Sequence, residues 1–477
     1  MNINRRRFLQ GLGVIGANLA VPGLITTSLF SGKIMAAGYD QLDVEFDTTL
    51  TVDRMPRFIN IFLYGGPSEL AGNLSNIIDI NANSQNRYPR TTIDGVSYGF
   101  DPNEANSLVT PNAFWKGAGG EIMESLLASG DMTVYRTMNR LKDTNRAHGI
   151  CVHQNLVGNL NVYTPGMATT LAWILQNNNP FRYADGSVRP LSDVVFPFVS
   201  FEGESKVFNT SDLAILPELK PIALNAKVLN PYVRTDRTTA GLNNGGAIDL
   251  AIEELARQTS AASAYPMTHQ SLIQRAEAAV HINEKIGNVT DNAATYGYGT
   301  GNFGERLSSA VSLVLNNPDT LFVSVGSGGL GGWDDHSEMM RRYPARMEEL
   351  FVAINAAVKH LEAATAQGVA HADKVIINVY GEFGRNVNLN ESLGWDHGTN
   401  QNLYTFGGKG LSANARKLGE IVGTTERVGD SGVNRQFTSP TAGSYQFEPF
   451  ALASSMYHYF GVKNPQVFSG EPVIAGF

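Results

Sequence analysis

Two units of the sequence each place an aspartate and a histidine close enough to reach one cation. The first is Asp334-Asp335-His336 and the second is Asp396-His397, and a tryptophan stands directly before each unit. Carboxylate oxygen and imidazole nitrogen together suit zinc, manganese or iron. One such unit is weak evidence, but two units with Glu382 and Arg385 between them predict a metal site. The alternative is that these residues form helix caps and buried salt bridges.

The residues around these units extend the candidate site. Asp335 is either a further ligand or a partner that orients His336. Glu382 can bind metal or act as an acid or base. Arg385 can clamp a phosphate or carboxylate with two parallel hydrogen bonds.

Two loops nearer the N-terminus supply the other candidates. In Gly65-Gly66-Pro67-Ser68-Glu69 the glycine pair permits a sharp turn, and Ser68 and Glu69 would project into a crevice. A plain turn with Ser68 as a helix cap is an equal alternative. In the second loop, Thr144 is either only a helix N-cap or a hydroxyl at an anion-binding helix end. His148 is either a ligand or a structural histidine.

Short apolar runs with β-branched or aromatic residues predict the strands that would position these loops. Helical patterns lie between the runs, and the clearest begins near Pro344 and continues to Leu361. This alternation predicts an α/β fold with a mainly parallel sheet, whose chemistry lies past the C-terminal strand ends. The predicted strands are Phe58–Tyr64, Met132–Met138, Val194–Phe201, Thr320–Val325, Val375–Tyr380 and Leu403–Phe406.

The domain organisation follows from the polar middle of the chain. Residues 204–247 are rich in asparagine and glycine and predict a loop-rich insertion, either a lid or a surface segment without function. A long helical region is expected at about 247–286. We find no confident linker, so residues 38–477 are expected to form a single domain.

The N-terminus resembles a twin-arginine export signal. Arg5-Arg6-Arg7-Phe8-Leu9 is followed by an apolar stretch and by Ala36-Ala37, so residues 1–37 are expected to be a signal peptide. An N-terminal membrane helix is the alternative. The signal predicts passage through the twin-arginine translocase to the periplasm or the exterior, and no stable membrane span if the signal is cleaved.

Charge and cysteine content limit the partners and the means of stabilisation. The signal holds four of the 36 basic residues and no acid, which leaves 32 basic against 44 acidic residues and a net charge near −12. Nucleic acid is therefore not expected as a partner. Cys151 is the single cysteine, so no intramolecular disulfide can form.

The motifs together resemble the domain-of-unknown-function family 1501. The resemblance rests on Gly332-Trp333-Asp334 with His336, on Glu382-Phe383-Gly384-Arg385 and on Asp396-His397-Gly398, and it spans roughly residues 57–470. Gly65-Gly66-Pro67-Ser68 resembles the first strand-end motif of that family, and His148 falls where the family has a histidine.

The resemblance implies an α/β/α sandwich of the alkaline-phosphatase-like superfamily with a divalent metal site, usually for two ions. Carried over by position, Asp334, His336, Asp396 and His397 would bind metal with Glu382 close by. Two sequence departures bear on the rest of the site. The usual aspartate after the glycine pair is replaced, so Glu69 would be that ligand, and Ala147 replaces a serine, which leaves Thr144 or Ser68 as the nucleophile.

The resulting hypothesis is an extracytoplasmic, metal-dependent hydrolase of phosphate or related esters, with a small anionic ester or an envelope polymer as its partner. A non-catalytic envelope protein that keeps the fold and a structural metal is the alternative. A sugar- or polymer-binding protein is the third, because tryptophan, tyrosine and asparagine are common in the loops.

Overall fold

A computed structural model of the chain describes the candidate loops and most of the elements that carry them. The signal peptide, residues 224–247 of the insertion and the helical region expected at 247–286 lie outside the described residues. Within the described part, no helix is both long enough and apolar enough to cross a membrane. The described residues are 39, 41–74, 91–93, 96–98, 107–211, 213–223, 294–414, 416–428 and 437–477.

A central sheet of eight strands, in the order β10-β4-β9-β8-β1-β7-β5-β6, forms the core of the fold. All neighbouring strands pair in parallel except at β9, which runs antiparallel to both β4 and β8. The predicted mainly parallel α/β fold is therefore confirmed. The strands are β1 (Arg57–Leu63), β4 (Met132–Asn139), β5 (Phe198–Ser200), β6 (Ile222–Ala223), β7 (Phe322–Gly326), β8 (Val375–Gly381), β9 (Asn400–Gly407) and β10 (Ile421–Val422).

Each of the six predicted strands is present, with one marked difference in length. The run expected at Val194–Phe201 contributes only Phe198–Ser200. A 3-10 helix at Leu191–Asp193 and the left-handed backbone at Phe196, with φ of 52°, occupy the approach to this strand. Neither conformation can join a β-ladder, so the strand begins later than its hydrophobicity suggests.

The antiparallel strand β9 changes how one predicted loop reaches the site. The sequence prediction placed Asp396 and His397 just past a strand, but the structure places them just before β9. Because β9 runs against its neighbours, its start lies at the same sheet edge as the ends of β8 and β1. The loop therefore still arrives at the edge where parallel strands deliver their functional groups.

Helices cover both faces of the sheet and make three layers. Alternate residues of β1 divide between two apolar clusters, with Ile59 in the first and Phe58 in the second. The first cluster also contains residues of α1, α4 and α5, whereas the second contains residues of α2, α3, α6 and α7. The helices are α1 (Gly120–Ala128), α2 (His148–Val157), α3 (Met167–Asn177), α4 (Asn302–Asn316), α5 (Met339–Ala366), α6 (Ala451–Tyr459) and α7 (Gln466–Ser469).

The long helix α5 confirms the predicted apolar face and corrects its start. Met347, Leu350, Phe351 and Ile354 are all buried in the first cluster. Pro344 does not lie in the first turn, because the helix begins five residues earlier at Met339. Since proline has no N–H, it cannot make the helical bond to the carbonyl of the residue four positions before it.

Smaller elements complete the described chain. Two short antiparallel pairs join β2 (Thr91–Ile93) to β3 (Val96–Tyr98) and β11 (Thr425–Val428) to β12 (Phe437–Pro440). The 3-10 helices are Val52–Arg54, Glu69–Gly72, Lys116–Ala118, Leu191–Asp193, Lys206–Phe208, Pro217–Leu219, Ala372–Lys374 and Lys409–Asn414.

The packing of α5 supplies a test of the core. Replacing the fully buried Leu350 with alanine removes apolar contacts and leaves a cavity, so we expect Leu350→Ala to lower the free energy of unfolding by about 2–5 kcal/mol. Glu348→Ala, at an exposed position of the same helix, should change it by less than about 0.5 kcal/mol. Urea denaturation followed by circular dichroism measures both, and equal effects would contradict the assigned face.

Candidate metal centre

Four side chains from three distant parts of the chain meet at this sheet edge. His148 begins α2, Asp334 and His336 belong to the loop after β7, and His397 precedes β9. Each offers one ligand atom, and these atoms all lie within 4.8 Å of one another. The predicted metal residues Asp334, His336, His397 and His148 are therefore brought together.

The distances between these ligand atoms match those around a single ion. The Oδ1 atom of Asp334 lies 3.0 Å from His336 Nε2, 3.5 Å from His148 Nε2 and 3.7 Å from His397 Nε2. The Nε2 atoms of His336 and His397 are 3.0 Å apart. Ligands about 2.0–2.1 Å from a tetrahedral zinc ion stand roughly 3.4 Å from one another, so the four atoms fit one ion.

The second ring nitrogen of each histidine has an oxygen partner. His148 Nδ1 bonds with Glu382 Oε1 in a short contact, and His336 Nδ1 lies 3.1 Å from Asp396 Oδ1. His397 Nδ1 lies 2.7 Å from the carbonyl oxygen of Arg146. A carbonyl only accepts, so Nδ1 of His397 carries a proton. The same assignment at the other two rings satisfies both carboxylates.

These bonds direct three Nε2 atoms and a carboxylate oxygen at one another. Burial, with the nearby charge of Arg385, lowers the pKa of His397 to about 4, so this ring is neutral at neutral pH. Neutral imidazole is the form that binds metal, and an Nδ1–H bonded to oxygen is the usual support of a ligating histidine. The donor set thus fits a divalent transition-metal ion.

Asp396 and Glu382 hold histidines in this arrangement. Asp396 was predicted to be a ligand, but the structure places it at His336 Nδ1, outside the group of four. Glu382 is 1% exposed and supports His148 in the same way. Burial raises the pKa of Glu382, although the bond with His148 opposes that shift.

Arg385 lies beneath the site as an internal tie between loops. Its Nε donates to the carbonyl of Gly66 at 2.6 Å and its Nη1 to that of Trp395 at 3.0 Å. Its Nη2 donates to Asp334 Oδ1 at 2.6 Å and also bonds the carbonyl of Gly65. The side chain has no exposed surface, so the predicted clamp on a substrate anion does not fit this placement.

The charge of Arg385 also changes the pKa of the Asp334 carboxylate, to which it is hydrogen-bonded. Burial alone would raise the pKa of Asp334, but the hydrogen bond and charge of Arg385 outweigh it and lower that pKa. The carboxylate is therefore ionised at neutral pH. Asp335 is not part of the group of four ligands: its carboxylate pairs with Arg346 at 3.0 Å and with Arg342 at 3.6 Å.

Both tryptophans anchor their loops. Trp333 and Trp395 are fully buried, and each packs edge-on against Tyr343 of α5, with ring centroids 6.0 and 5.0 Å away. The hydroxyl of Tyr343 donates to the carbonyl of Ser68 at 2.5 Å. The buried side chain of Tyr343 thus connects three loops to the long helix: the loop after β1 and the two loops that carry Trp333 and Trp395.

Glycine allows the loops to come this close. A side chain at Gly65, whose φ is +118°, would meet the backbone nitrogen of Asp334 at 2.4 Å. One at Gly384 would meet the carbonyl oxygen of Asn400 at 1.5 Å. At these two positions any larger residue would drive apart the backbones that carry the ligands.

Three predicted residues are not part of this cluster. Ser68 is buried, and its Oγ caps a 3-10 helix by accepting from Leu70 N at 3.3 Å. Glu69 is 1% exposed and bonds Thr438 and the backbone N–H of Arg385 behind the site. Thr144 is exposed and does not cap α2, because that helix begins at His148 with Ala147 as its N-cap.

Sequence reasoning missed several residues that complete the site. Phe383 packs against His397 with ring centroids 4.4 Å apart, and Arg146 contributes its carbonyl to the same histidine. Asn390 donates to the carbonyl of His336 at 3.0 Å. Phe383 lies inside a recognised motif, but a backbone carbonyl leaves no signal in the sequence.

The buried carboxyl of Glu69 predicts how stability depends on pH. Burial raises its pKa to about 7 against an ordinary value of 4.5, so the folded state holds a proton that the unfolded state releases. The contribution of Glu69 to stability should therefore be fully present below pH 4.5 and fall, by on the order of 3 kcal/mol, as pH rises to about 7. Glu69→Gln should remove this decline.

Urea denaturation at pH 5 and pH 8 measures the effect. Glu121→Gln, at an exposed position of α1, is the control and should keep the pH dependence of the parent. The same decline in Glu69→Gln as in the parent would show that another group causes it.

Comparisons with known proteins identify a family without an assigned activity. The family described as "Protein of unknown function (DUF1501)" matches residues 224–460. No curated protein matches the sequence. A solved structure titled "Crystal structure of Ps i-CgsB in complex with k-i-k-neocarrahexaose" aligns over 87% of this chain and 74% of its own, with 9% identity and a TM-score of 0.35. A similarity at this TM-score and identity does not indicate a function for this chain.

The family match covers most of the centre that the structure assembles. It includes Asp334, His336, Asp396 and His397, together with Glu382 and Arg385, and it leaves His148 outside. Residues 224–460 of the chain therefore match the family of proteins of unknown function DUF1501.

Proposed function

We propose that this protein is a metal-dependent hydrolase that holds one divalent ion between His148, Asp334, His336 and His397. The observation that supports it is the set of three Nε2 atoms aimed at one carboxylate oxygen, each ring fixed through its Nδ1. Four lone pairs facing one another repel unless a cation lies between them.

The ligand types favour zinc, with manganese or iron as the alternatives. Three imidazoles and one carboxylate form a nitrogen-rich set, which zinc accepts readily in tetrahedral geometry. When bound, such an ion would supply a Lewis acid and make water at the site more acidic. We propose one ion rather than two, because Asp396 is engaged by His336 and Glu69 lies behind the site.

The protein groups would then orient the ligands and leave room for a substrate. The side chains of His148, Asp334 and His336 are 38–46% exposed, so one side of the centre is open. Ser68 is engaged as a cap, which favours water over a serine hydroxyl as the attacking group. Asp396, with 43% of its side chain exposed, is better placed than Glu382 to exchange a proton with solvent.

We propose phosphate or related esters as substrates and the periplasm or the exterior as the location. The ester class rests on the resemblance of the motifs to enzymes that act on phosphoryl and sulfuryl groups. The location rests on Arg5-Arg6 and the apolar stretch that follows.

A non-catalytic metalloprotein is the second candidate. Four protein ligands can complete a tetrahedral set by themselves, as in structural zinc sites, and no hydroxyl in the described part of the site is placed as a nucleophile. Such a protein would bind the ion without turning over an ester.

Metal analysis of the mature protein, purified without chelator, tests the ligand assignment. We expect about one equivalent in the parent and none in the Asp334→Ala/His336→Ala double variant. Asp396→Asn should keep the stoichiometry while its affinity falls about 10- to 100-fold, because it only orients His336.

Asp185→Asn, in an exposed turn remote in sequence from these loops, is the matched control and should bind like the parent. A folded parent without stoichiometric metal would refute the proposed centre. Complete loss of metal in Asp396→Asn would instead make Asp396 a ligand.

Ester hydrolysis by the zinc-loaded parent tests the catalytic proposal. Chelation should abolish turnover of phosphate or sulfate esters, zinc should restore it, and His336→Ala should remain inactive. Thr144→Ala and Ser68→Ala should retain turnover within about tenfold, because neither hydroxyl attacks in this proposal. Bound metal with no turnover on any ester would favour the non-catalytic candidate.

A further inference from the structure

A cavity of about 560 Å³ lies at the same edge of the sheet as the metal centre, where Tyr64 follows β1 and Ser200 ends β5. Its lining combines apolar and polar side chains from two helices, a strand end and loops. The apolar residues include Tyr64, Val152, Leu156, Phe208 and Pro221, and the polar ones include Glu204, Ser205, Lys206 and Asn209.

Helix α2 joins this cavity to the centre. His148, Val152 and Leu156 are spaced four residues apart and so lie along one face of the helix, each about one turn from the next. The cavity therefore begins about one helical turn, ~6 Å, from a metal-ligating histidine.

The strand end of β1 makes a second connection. Tyr64 lines the cavity, and its carbonyl accepts a hydrogen bond of 3.0 Å from the backbone N–H of Trp333, next to Asp334. Its hydroxyl donates to Glu202 Oε2 at 2.9 Å, which fixes the ring. The cavity wall and the ligand loop are thus parts of one hydrogen-bonded structure.

We propose that this cavity binds the leaving group of the substrate and that the leaving group is an aryl ring. The proposal rests on the hydrolase function proposed above. The volume lies within the range of pockets for ring-sized organic ligands, about 300–1,000 Å³, and far exceeds what a reacting phosphoryl group needs. The lining includes the aromatic residues Tyr64 and Phe208, and aromatic side chains pack favourably against an aryl group.

Binding of 1-naphthol, the product of 1-naphthyl phosphate hydrolysis, tests the cavity without any turnover. Isothermal titration of the metal-loaded full chain should show binding to the parent and at least tenfold weaker binding to Val152→Trp, in which the new ring fills the cavity. Ile150→Trp, at a position of the same helix that is 40% exposed and does not line the cavity, should bind like the parent.

The proposal is overturned if 1-naphthol does not bind the parent, or binds Val152→Trp as tightly as Ile150→Trp. Should Val152→Trp not fold, Ala223→Trp at the exposed edge of the same cavity takes its place, with the same expected loss.

Kinetics separate this proposal from the hydrolase function. In an active parent, Val152→Trp should lower kcat/KM for 1-naphthyl phosphate at least tenfold and leave that for methyl phosphate unchanged. An equal fall for both esters would mean that the variant disturbs the metal centre, which overturns the cavity as a leaving-group site. A parent inactive on both esters would refute the hydrolase, while the titration would still decide whether the cavity takes an aryl ring.

Discussion

The buried guanidinium of Arg385 is the interaction on which the centre depends. It bonds the backbone of the loop after β1, the backbone beside Trp395 and the carboxylate of Asp334. A buried positive charge is tolerated only when such partners surround it, and each partner here belongs to a different loop. The same charge lowers the pKa of Asp334 and, second to burial, also lowers the pKa of His397, so the carboxylate is ionised and the imidazole neutral, as a metal site requires. The positions of the three loops and the ionisation of Asp334 therefore both depend on Arg385.

The residues around the Arg385 guanidinium support the centre from two directions. Below it, Trp333 and Trp395 pack against Tyr343, so the ligand loops are held by the apolar core. Beside it, Glu382, Asp396 and the carbonyl of Arg146 fix the histidine rings through Nδ1. One side of the centre remains open, with the side chains of His148, Asp334 and His336 partly exposed. The proposed leaving-group cavity lies further along α2, and its lining includes none of the four ligands.

Much of the fold and part of the centre could be predicted from the sequence. The strands were recognisable because parallel strands buried on both faces read as short apolar runs, and the first Asp/His unit, Asp334 with His336, followed the expected placement past a strand end. The roles within the centre were not predictable. Asp396 and His397 are adjacent in sequence, yet one orients and the other is placed to bind, because that distinction depends on ring directions set by contacts 60 or more residues away. Arg385 looked like an anion clamp because a motif does not show that its donors are already engaged. The antiparallel direction of β9 was equally hidden, since strand direction leaves no local pattern.

The antiparallel pair β8 and β9 has a consequence for how this protein could change during evolution. One continuous excursion between these strands carries Glu382, Arg385, Asp396 and His397, and both of its ends are fixed in adjacent ladders. An insertion there would alter the mutual placement of four functional groups at once. The segments after β5, which supply much of the cavity wall, carry none of the four ligands and are free of that constraint. Divergence in specificity would therefore concentrate in those segments, while the length of the β8–β9 excursion stays constant.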